Sequence, residues 1–558
     1  MKTISCTNSF RKKSCASLIS LVESIETAPI TLGSFSLSFL AIILVRLLIE
    51  NGTNLFASEP LDYILYEYSH TLLFFLLSFL VFLPIARLAG AASWARATNL
   101  LLIGFLIIWS PPVIDKIIFG EHAFWSFYEL DGISGLAYRF FHFFGDTPNI
   151  GITYGVRIEV ALMSVGLGLY SFFRSRSWIR ALGVLLLSYL VFFILGTFPS
   201  YIAILALATQ KGLFGVTEGD IAGYMLSPKR FFGHNIADPR MALSLRMSLA
   251  YAILCVLAVG TFLFRSSRQT FLSLLGNVRW PQIIWHGGLL FLGGGLAAFY
   301  AGADMDFDLF EVLSIISMTI AVISAWLASV VPNDLADRHI DALTNPSRPI
   351  PKRHLSETLY RSIGLLFFFV SILFSSIVSV KAALFLLVYQ AIAWIYSTPP
   401  LRLKRIPFVA TFLSAAAGMT VLFSGYSVLA PTQDISAIPF PLLAFLFLCY
   451  AVTIPLKDFK DIRGDKADGV ITIPVLFGEE GGRYAVGTAL FCCYVASPVV
   501  LHDAGLFLPA FIFGSIAFLS IRRADRKRNR WLTLRSLPAW NILLATLYGF
   551  IVLLFLVS

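Results

Sequence analysis

Long apolar runs dominate the chain and alternate with short polar segments. In the first half, about six runs approach the ~20 residues that a helix needs to cross a bilayer. They lie near 30–49, 63–85, 99–118, 155–173, 181–205 and 241–264. About nine more lie near 283–303, 310–332, 357–378, 382–397, 407–429, 438–456, 484–501, 505–521 and 539–557. The pattern predicts an all-α polytopic membrane protein. We place a hinge in the basic segment 265–279, which separates an N-terminal transmembrane domain (1–280) from a C-terminal domain (281–558).

Composition supports a membrane location and excludes other classes. The 558 residues are 58% hydrophobic and only 13% charged, and the mean hydropathy is +0.81. Basic loops stay cytoplasmic, and a cytoplasmic N-terminus puts most of the 42 Lys and Arg residues on that side. The net charge of +10 therefore does not indicate nucleic acid binding. No cleavable signal peptide is evident, so we expect the first helix to remain as an anchor. The six cysteines show no CxxC spacing and are interpreted as packing residues.

Two acidic segments stand out against this apolar background, both on the predicted cytoplasmic side. The first, NDLADRHIDALTNPSRPIP from Asn333 to Pro351, places Asp334, Asp337 and Asp341 at i, i+3 and i+7. On an α-helix this spacing puts all three on one face.

The second acidic segment, KDFKDIRGDKADG, repeats the spacing with Asp458, Asp461 and Asp465. Carboxylates so placed repel one another, and near lipid the cost is larger, so we expect a cation between them. Oxygen ligands suit Mg²⁺, which often bridges protein carboxylates to substrate phosphates. Two such clusters facing each other would hold a diphosphate. The alternative is a pair of solvated charged loops.

Basic and amide side chains accompany the acids. Asn333 and Arg348 belong to the first segment, Lys457 to the second, and the loop YSTPPLRLKR supplies Arg402 and Lys404. Guanidinium and ammonium groups suit a departing diphosphate, although the cytoplasmic bias of basic residues accounts for some of them.

Three ordered motifs make the chain resemble the UbiA family of intramembrane prenyltransferases over about 280–558. The first resembles that family's NDxxDxxxD followed by N-x-x-RP, here Asn333, Asp334, Asp337, Asp341, Asn345, Arg348 and Pro349. The middle loop resembles YS-x-PP-x-R-x-K, here Tyr396, Ser397, Pro399, Pro400, Arg402 and Lys404. The last resembles KDxxDxxGD, here Lys457, Asp458, Asp461, Gly464 and Asp465.

The resemblance implies a nine-helix bundle and a Mg²⁺-dependent prenyltransferase. Both acid clusters would bind Mg²⁺ and an isoprenoid diphosphate, with Asn333, Arg348, Arg402, Lys404 and Lys457 on the diphosphate. The C1–O bond would ionise, and an aromatic or lipid acceptor would attack the allylic cation in a cavity that excludes water. Aromatic faces stabilise cations, and the candidates are Tyr396, Tyr450 and Trp394.

A competing hypothesis and three further segments of the sequence complete the interpretation. The competing hypothesis is a non-catalytic membrane protein that uses the acids to bind cations or lipids, or to transport them. Asp304, Asp306 and Asp308 alternate instead of following helical spacing, and we interpret them as a solvated turn. The run Gly293–Gly295 indicates close helix packing. Residues 1–280 carry no motif that we assign to a family, and we expect an accessory bundle there.

Overall fold

The protein is almost entirely helical. The computed structural model describes residues 20–53, 61–120, 125–126, 128–146, 150–231, 234–236, 238–276, 278–303, 308–338, 355–430, 434–467, 469–524 and 532–557. Contacts between Cα atoms divide the chain into a first unit, Met1–Lys229 with Asn235–Phe262, and a second unit, Arg230–His234 with Leu263–Ser558. The division falls within the helix Pro239–Ser266, just ahead of the basic segment 265–279.

A series of helices forms the described part of the first unit. The α-helices are Leu32–Thr53, Leu61–Ala89, Trp94–Gly104, Ser110–Phe119, Ile133–Phe141, Tyr154–Ser175, Trp178–Gly196, Phe198–Lys211, Glu218–Leu226 and Pro239–Ser266, with a 3₁₀-helix at Phe105–Trp109. Very short strands lie at Trp125–Ser126, which pairs in parallel with Ile150–Gly151, and at Lys229–Phe231 and His234–Ile236.

The second unit contains the longer series of helices. Its α-helices are Arg268–Gly276, Trp280–Ala301, Leu309–Ala336, Glu357–Val378, Val380–Ser397, Val409–Leu429, Phe440–Thr453, Ile462–Ala467, Ile473–Leu476, Gly478–Leu501, Phe507–Arg523 and Leu537–Val557. The 3₁₀-helices are Leu403–Arg405, Ile435–Ala437, Ile454–Lys460 and Ala504–Leu506.

Fifteen helical segments among the described residues are long and apolar enough to span a membrane. Six of them precede residue 267 and nine follow residue 279, which confirms the predicted all-α polytopic architecture. Large apolar side chains such as Ile179 and Phe440 lie exposed on the helices, as expected where lipid replaces water. The predicted run 181–205 is wrong in extent: one span ends at Gly196, and a separate helix begins at Phe198 with Pro199 in its first turn, where a missing N–H costs nothing.

Some buried polar side chains in the first unit are paired with one another. Glu26, 1% exposed, accepts a 2.7 Å hydrogen bond from the Tyr170 hydroxyl and forms an ion pair with Arg174. Elsewhere the hydroxyls of Tyr128 and Tyr251 lie 2.9 Å apart. Because an unpaired buried polar group is costly, these contacts stabilise the packing of the helices that carry them.

Close backbone contact joins two helices of the second unit, Trp280–Ala301 and Val409–Leu429. A Cβ added at Gly293 would lie 2.0 Å from the Leu422 carbonyl oxygen, and one added at Gly425 would lie 2.0 Å from that of Leu290. A Cβ at Gly295 would meet no atom within 4 Å. Only part of the glycine run therefore serves the close packing that the sequence predicts.

An N-terminal cap begins the helix that carries the first acidic motif. Asp308 accepts a hydrogen bond from the Glu311 amide, and Glu311 accepts one from the Asp308 amide in return. This capping box gives Asp308 a structural role. Asp304 and Asp306 lie outside the described residues.

Candidate functional site

The first acidic motif lies where helix Leu309–Ala336 ends. Asp337 caps that helix with a non-helical backbone (φ −97°, ψ 8°), and its amide still donates to the Asn333 carbonyl at 2.9 Å. The helical spacing on which the prediction of one shared face relied therefore does not extend past Ala336. Asp341 and Arg348 lie outside the described residues, so their roles stay predictions.

Asp334 and Asp337 have different surroundings although they are only three residues apart. Asp334 is 2% exposed. Its Oδ1 lies 2.5 Å from Arg279 Nη2, and its Oδ2 accepts a 2.9 Å hydrogen bond from the Tyr360 hydroxyl. Asp337 faces the middle loop instead. The motif thus presents its carboxylates in two directions.

The middle loop brings two cations to Asp337. Lys404 Nζ lies 2.6 and 2.5 Å from the two carboxylate oxygens of Asp337 and 3.1 Å from Asn333 Oδ1. Arg402 Nη2 lies 2.8 Å from Asp337 Oδ1. The backbone of Arg402 is left-handed (φ 41°), which costs a residue with a side chain about 1–2 kcal/mol. These buried ion pairs offset that cost and fix the loop against the first motif.

The second acidic motif lies on a 3₁₀-helix and a short α-helix, and not on one continuous α-helix. Asp458 lies on the 3₁₀-helix Ile454–Lys460, Asp461 follows its end, and Asp465 lies on the short helix Ile462–Ala467. A 3₁₀-helix repeats every three residues, which favours one common side for Asp458 and Asp461. Lys457 Nζ lies 5.8 Å from the ring centroid of Tyr396, within the range of a cation–π contact.

A single cavity of about 1280 Å³ brings the motifs together. Its lining includes seven of the residues that the sequence predicts for the site, namely Asn333, Asp337, Lys404, Lys457, Asp458, Asp461 and Asp465. Asp334 and Arg402 are absent from the lining that the described residues form. Both contact the lining indirectly, and Arg402 does so through Asp337, which lines the cavity. We refer to this cavity as the chamber.

Aromatic side chains form a second part of the chamber wall. Trp326 lies seven residues before Asn333 on helix Leu309–Ala336, and Tyr450 lies on helix Phe440–Thr453; both line the chamber. Seven α-helical residues correspond to about 10 Å, so Trp326 lies roughly that far along the helix from Asn333. Tyr396 and Tyr450 thus line the chamber as the sequence suggests, whereas Trp394 is 59% exposed and does not.

Several polar atoms of the chamber wall have no hydrogen-bond partner among the described residues. They are the indole nitrogens of Trp285 and Trp326, Asn541 Oδ1 and Thr472 Oγ1. Asn541 is 6% exposed, and its Nδ2 donates to the Leu537 carbonyl at 3.0 Å. Because such atoms usually find partners, they are available to hydrogen-bond water or a polar group of a ligand in the chamber. Sequence reasoning missed them, since no motif or spacing marks these residues.

Electrostatics in the second motif fit a bound cation. Burial, followed by the negative charges of Asp458 and Asp461, raises the pKa of Asp465 to about 7. Carboxylate oxygens are the ligands that Mg²⁺ prefers. Among the described residues no group of three acidic, histidine or cysteine side chains is arranged to hold an ion alone. Mg²⁺ usually uses one or two carboxylates together with waters and substrate phosphates, so the donor set fits an ion shared with a diphosphate.

Comparisons with known proteins cover the second unit. Residues 291–542 match the sequence model of the UbiA prenyltransferase family. A digeranylgeranylglyceryl phosphate synthase from Natronomonas pharaonis is 31% identical over 228 residues, which are 40% of this chain and 74% of the relative. The bacteriochlorophyll synthase 33 kDa chain of Rhodobacter capsulatus is 32% identical over 156 residues, 27% of this chain and 51% of the relative.

The extent of these matches varies. The chain spans 61% of the length of the digeranylgeranylglyceryl phosphate synthase from Thermococcus sibiricus, at 27% identity over 32% of this chain. Among solved structures, a UbiA homolog from Archaeoglobus fulgidus bound to GPP and Mg²⁺ matches with a TM-score of 0.39 and 18% identity, covering 50% of this chain and 99% of that chain.

Proposed function

Because the chain belongs to the UbiA prenyltransferase family, we propose that its second unit transfers a prenyl group from an isoprenoid diphosphate to a hydrophobic acceptor in the membrane. The observation that carries this proposal is the meeting of both acidic motifs and the basic loop in one chamber. Acids and bases placed together in this way suit a magnesium diphosphate, which carries charges of both signs.

Metal binding is assigned to the acidic residues of the chamber. Asp337, Asp458, Asp461 and Asp465 are the carboxylates that would hold Mg²⁺, with the oxygen of Asn333 beside them. The sequence predicts Asp334 and Asp341 as further ligands, but Asp334 does not line the chamber and Asp341 lies outside the described residues.

Diphosphate binding falls to the basic residues of the chamber wall. Lys404 and Lys457 line the chamber. Arg402 is not among the described residues of the lining, and it contacts Asp337, which is. Lys404 has to leave Asp337 to contact the diphosphate, and its long flexible side chain permits this. The sequence adds Arg348.

The proposed reaction breaks the C1–O bond of the donor and forms a bond from C1 to the acceptor. Bound Mg²⁺ would neutralise charge that develops on the departing diphosphate. Lys404 and Lys457 stabilise the same charge through hydrogen bonds. The rings of Tyr396 and Tyr450 provide electron-rich faces for the allylic cation, and the apolar wall excludes water that would capture it. The acceptor loses one proton when it is a phenol or an alcohol.

The unpartnered atoms of the chamber support a proposal about the polar group that the acceptor carries. Trp285 and Trp326 offer N–H donors and Asn541 offers an acceptor oxygen. A prenyl chain has no group that pairs with them, whereas a hydroxyl both donates and accepts. We therefore propose an acceptor that is hydrophobic overall and carries a hydroxyl or carbonyl group, in the aromatic or lipid class. From the distribution of basic residues we also propose that the chamber opens on the cytoplasmic side.

Release of pyrophosphate tests the proposal directly. The purified full-length chain is incubated with geranylgeranyl diphosphate, Mg²⁺ and either a lipid extract or a panel of phenols and glycerol ethers, and prenylated products are identified by mass spectrometry. We expect product and pyrophosphate in equal amounts, and a loss of at least about a hundredfold in Asp461→Asn, which removes a metal-binding charge.

A matched control uses Asp503→Asn. Asp503 lies away from the chamber and accepts a 2.8 Å hydrogen bond from Gly505, a role that asparagine also fills, so this variant keeps full activity. Donor binding without pyrophosphate release under every condition would favour the binding or transport hypothesis instead.

A further inference from the structure

The two oxygens of Asp334 contact residues from two other helices. Arg279 Nη2 lies 2.5 Å from Oδ1, and the Tyr360 hydroxyl lies 2.9 Å from Oδ2. The side chain of Asp334 is 2% exposed, against 14% for that of Asp337. Its neighbours Asn333 and Asp337 line the chamber, whereas Asp334 is absent from the lining formed by the described residues.

The surroundings of Tyr360 do not suit a hydrated metal ion. Tyr360 is 1% exposed and packs in an apolar cluster with Val331 and Leu355, against which Leu274 also lies. A separate cavity of about 210 Å³ adjoins this cluster; of the ten described residues that line it, nine have apolar side chains and the tenth is Tyr360. Mg²⁺ keeps several waters, whereas the described residues on this side of Asp334 are almost all apolar.

Arg279 contacts Asp334 from a strained position. It caps helix Trp280–Ala301 with a left-handed backbone (φ 55°, ψ 64°), a conformation that residues with a side chain rarely adopt. The ion pair with Asp334 compensates that strain and neutralises a buried carboxylate. Arg279 also lies ahead of residues 291–542, which match the family.

We propose that Asp334 is a positioning residue and not a metal ligand, and that Arg279, Asp334 and Tyr360 form a latch that orients the last turn of helix Leu309–Ala336. This inference rests on the proposed function. Successive residues of a helix are about 100° apart, so fixing Asp334 fixes the direction of Asn333 and Asp337. Pro332 lies in the same turn and lacks an N–H, which leaves this turn more dependent on the latch.

Metal binding by variants of the full-length protein tests the latch. The probe is Mn²⁺ with inorganic pyrophosphate, followed by electron paramagnetic resonance well below the unfolding temperature of every variant. Residues behind a ligand typically change metal affinity about ten- to a hundredfold, so we expect at least about tenfold weaker binding in both Asp334→Asn and Tyr360→Phe. The double variant should be no weaker than Asp334→Asn, since both changes break one hydrogen bond. Asp337→Asn should lose at least about a hundredfold.

Tyr426→Phe is the matched control. Tyr426 is fully buried in the same unit, and its hydroxyl has no partner among the described residues, so its loss should leave Mn²⁺ binding unchanged. If Asp334→Asn is as severe as Asp337→Asn while Tyr360→Phe has no effect, Asp334 is a ligand and the proposal is wrong. If both latch variants change only the unfolding temperature, the contact is merely structural and the positioning role is also wrong.

The latch and the proposed function can fail separately. Absence of Mn²⁺–pyrophosphate binding in the unaltered protein would contradict the proposed function. Coupling between Asp334 and Tyr360 is measured independently by a double-mutant cycle of thermal unfolding. Additive effects in that cycle would overturn the latch whatever the outcome of the metal measurement.

Discussion

Replacing Lys404 with methionine should change metal binding and diphosphate binding in opposite directions. In this structure Lys404 Nζ contacts both oxygens of Asp337 and the side chain of Asn333. A metal ion that binds Asp337 has to displace that ammonium group, whereas a diphosphate needs the same group as a hydrogen-bond donor. Methionine keeps much of the side-chain volume but removes the charge, so it frees the metal ligand and weakens the diphosphate site.

The size of both effects follows from the contacts of Lys404. Hydrogen bonds to charged groups contribute about 1.5–3 kcal/mol. The side chains of Lys404 and Asp337 are 10% and 14% exposed, so screening by solvent is limited, but Arg402 also contacts Asp337 at 2.8 Å and retains part of the interaction. We therefore use the lower bound of about 1.5 kcal/mol, which corresponds to a factor of about ten in affinity.

Isothermal titration calorimetry of the full-length protein measures both changes. Mn²⁺ titrated alone should bind about tenfold more tightly to Lys404→Met, and pyrophosphate titrated with Mn²⁺ present should bind about tenfold more weakly. The control is Lys381→Met, at the opposite end of helix Val380–Ser397 from the middle loop, which should change neither value. Weaker Mn²⁺ binding in Lys404→Met would refute the reasoning, because it would mean that Lys404 supports the metal site instead of competing with it.

Three further predictions concern packing, the acceptor and ligand linkage. Gly293→Ala should lower the free energy of unfolding by about 1–3 kcal/mol because its Cβ meets a carbonyl oxygen, whereas Gly295→Ala should not lower it; chemical denaturation compares the two. Trp326→Phe removes an unpartnered N–H and should leave the affinity for Mn²⁺–pyrophosphate unchanged. It should raise the KM of the acceptor about fivefold, which is the equivalent of one hydrogen bond of ~1 kcal/mol. An unchanged KM would count against an acceptor site at Trp326. Mn²⁺ with pyrophosphate at about 100 times the dissociation constant should stabilise the protein by about 2.7 kcal/mol, seen as a higher unfolding temperature, and Asp461→Asn should abolish that shift.

The number and type of the membrane helices could be predicted from the sequence because lipid leaves the backbone few choices. The interruption after Gly196 could not, since the apolar run continues across it and only Pro199 marks a new helical start. Hydropathy measures the apolar character of a segment and is insensitive to the end of one helix and the start of another within it.

The contacts between side chains of the site were harder to predict than the membrane helices. Motif spacing indicated residues such as Asp337 and Asp461, and the structure places both in the lining of one chamber with Lys404. It did not indicate that Asp334 faces Tyr360, because helical spacing assigns positions to a face and carries no information on what neighbouring helices place there. The roles of Trp285 and Asn541 depend on the same long-range packing.

The pairing of Asp337 with Lys404 and Arg402 also bears on the order in which ligands arrive. Because these groups are already paired, Asp337 attracts a free cation less strongly, and Lys404 and Arg402 attract a free anion less strongly. A preformed metal–pyrophosphate complex satisfies both sets of groups in one event, so under the proposed function the donor enters together with its counter-ion.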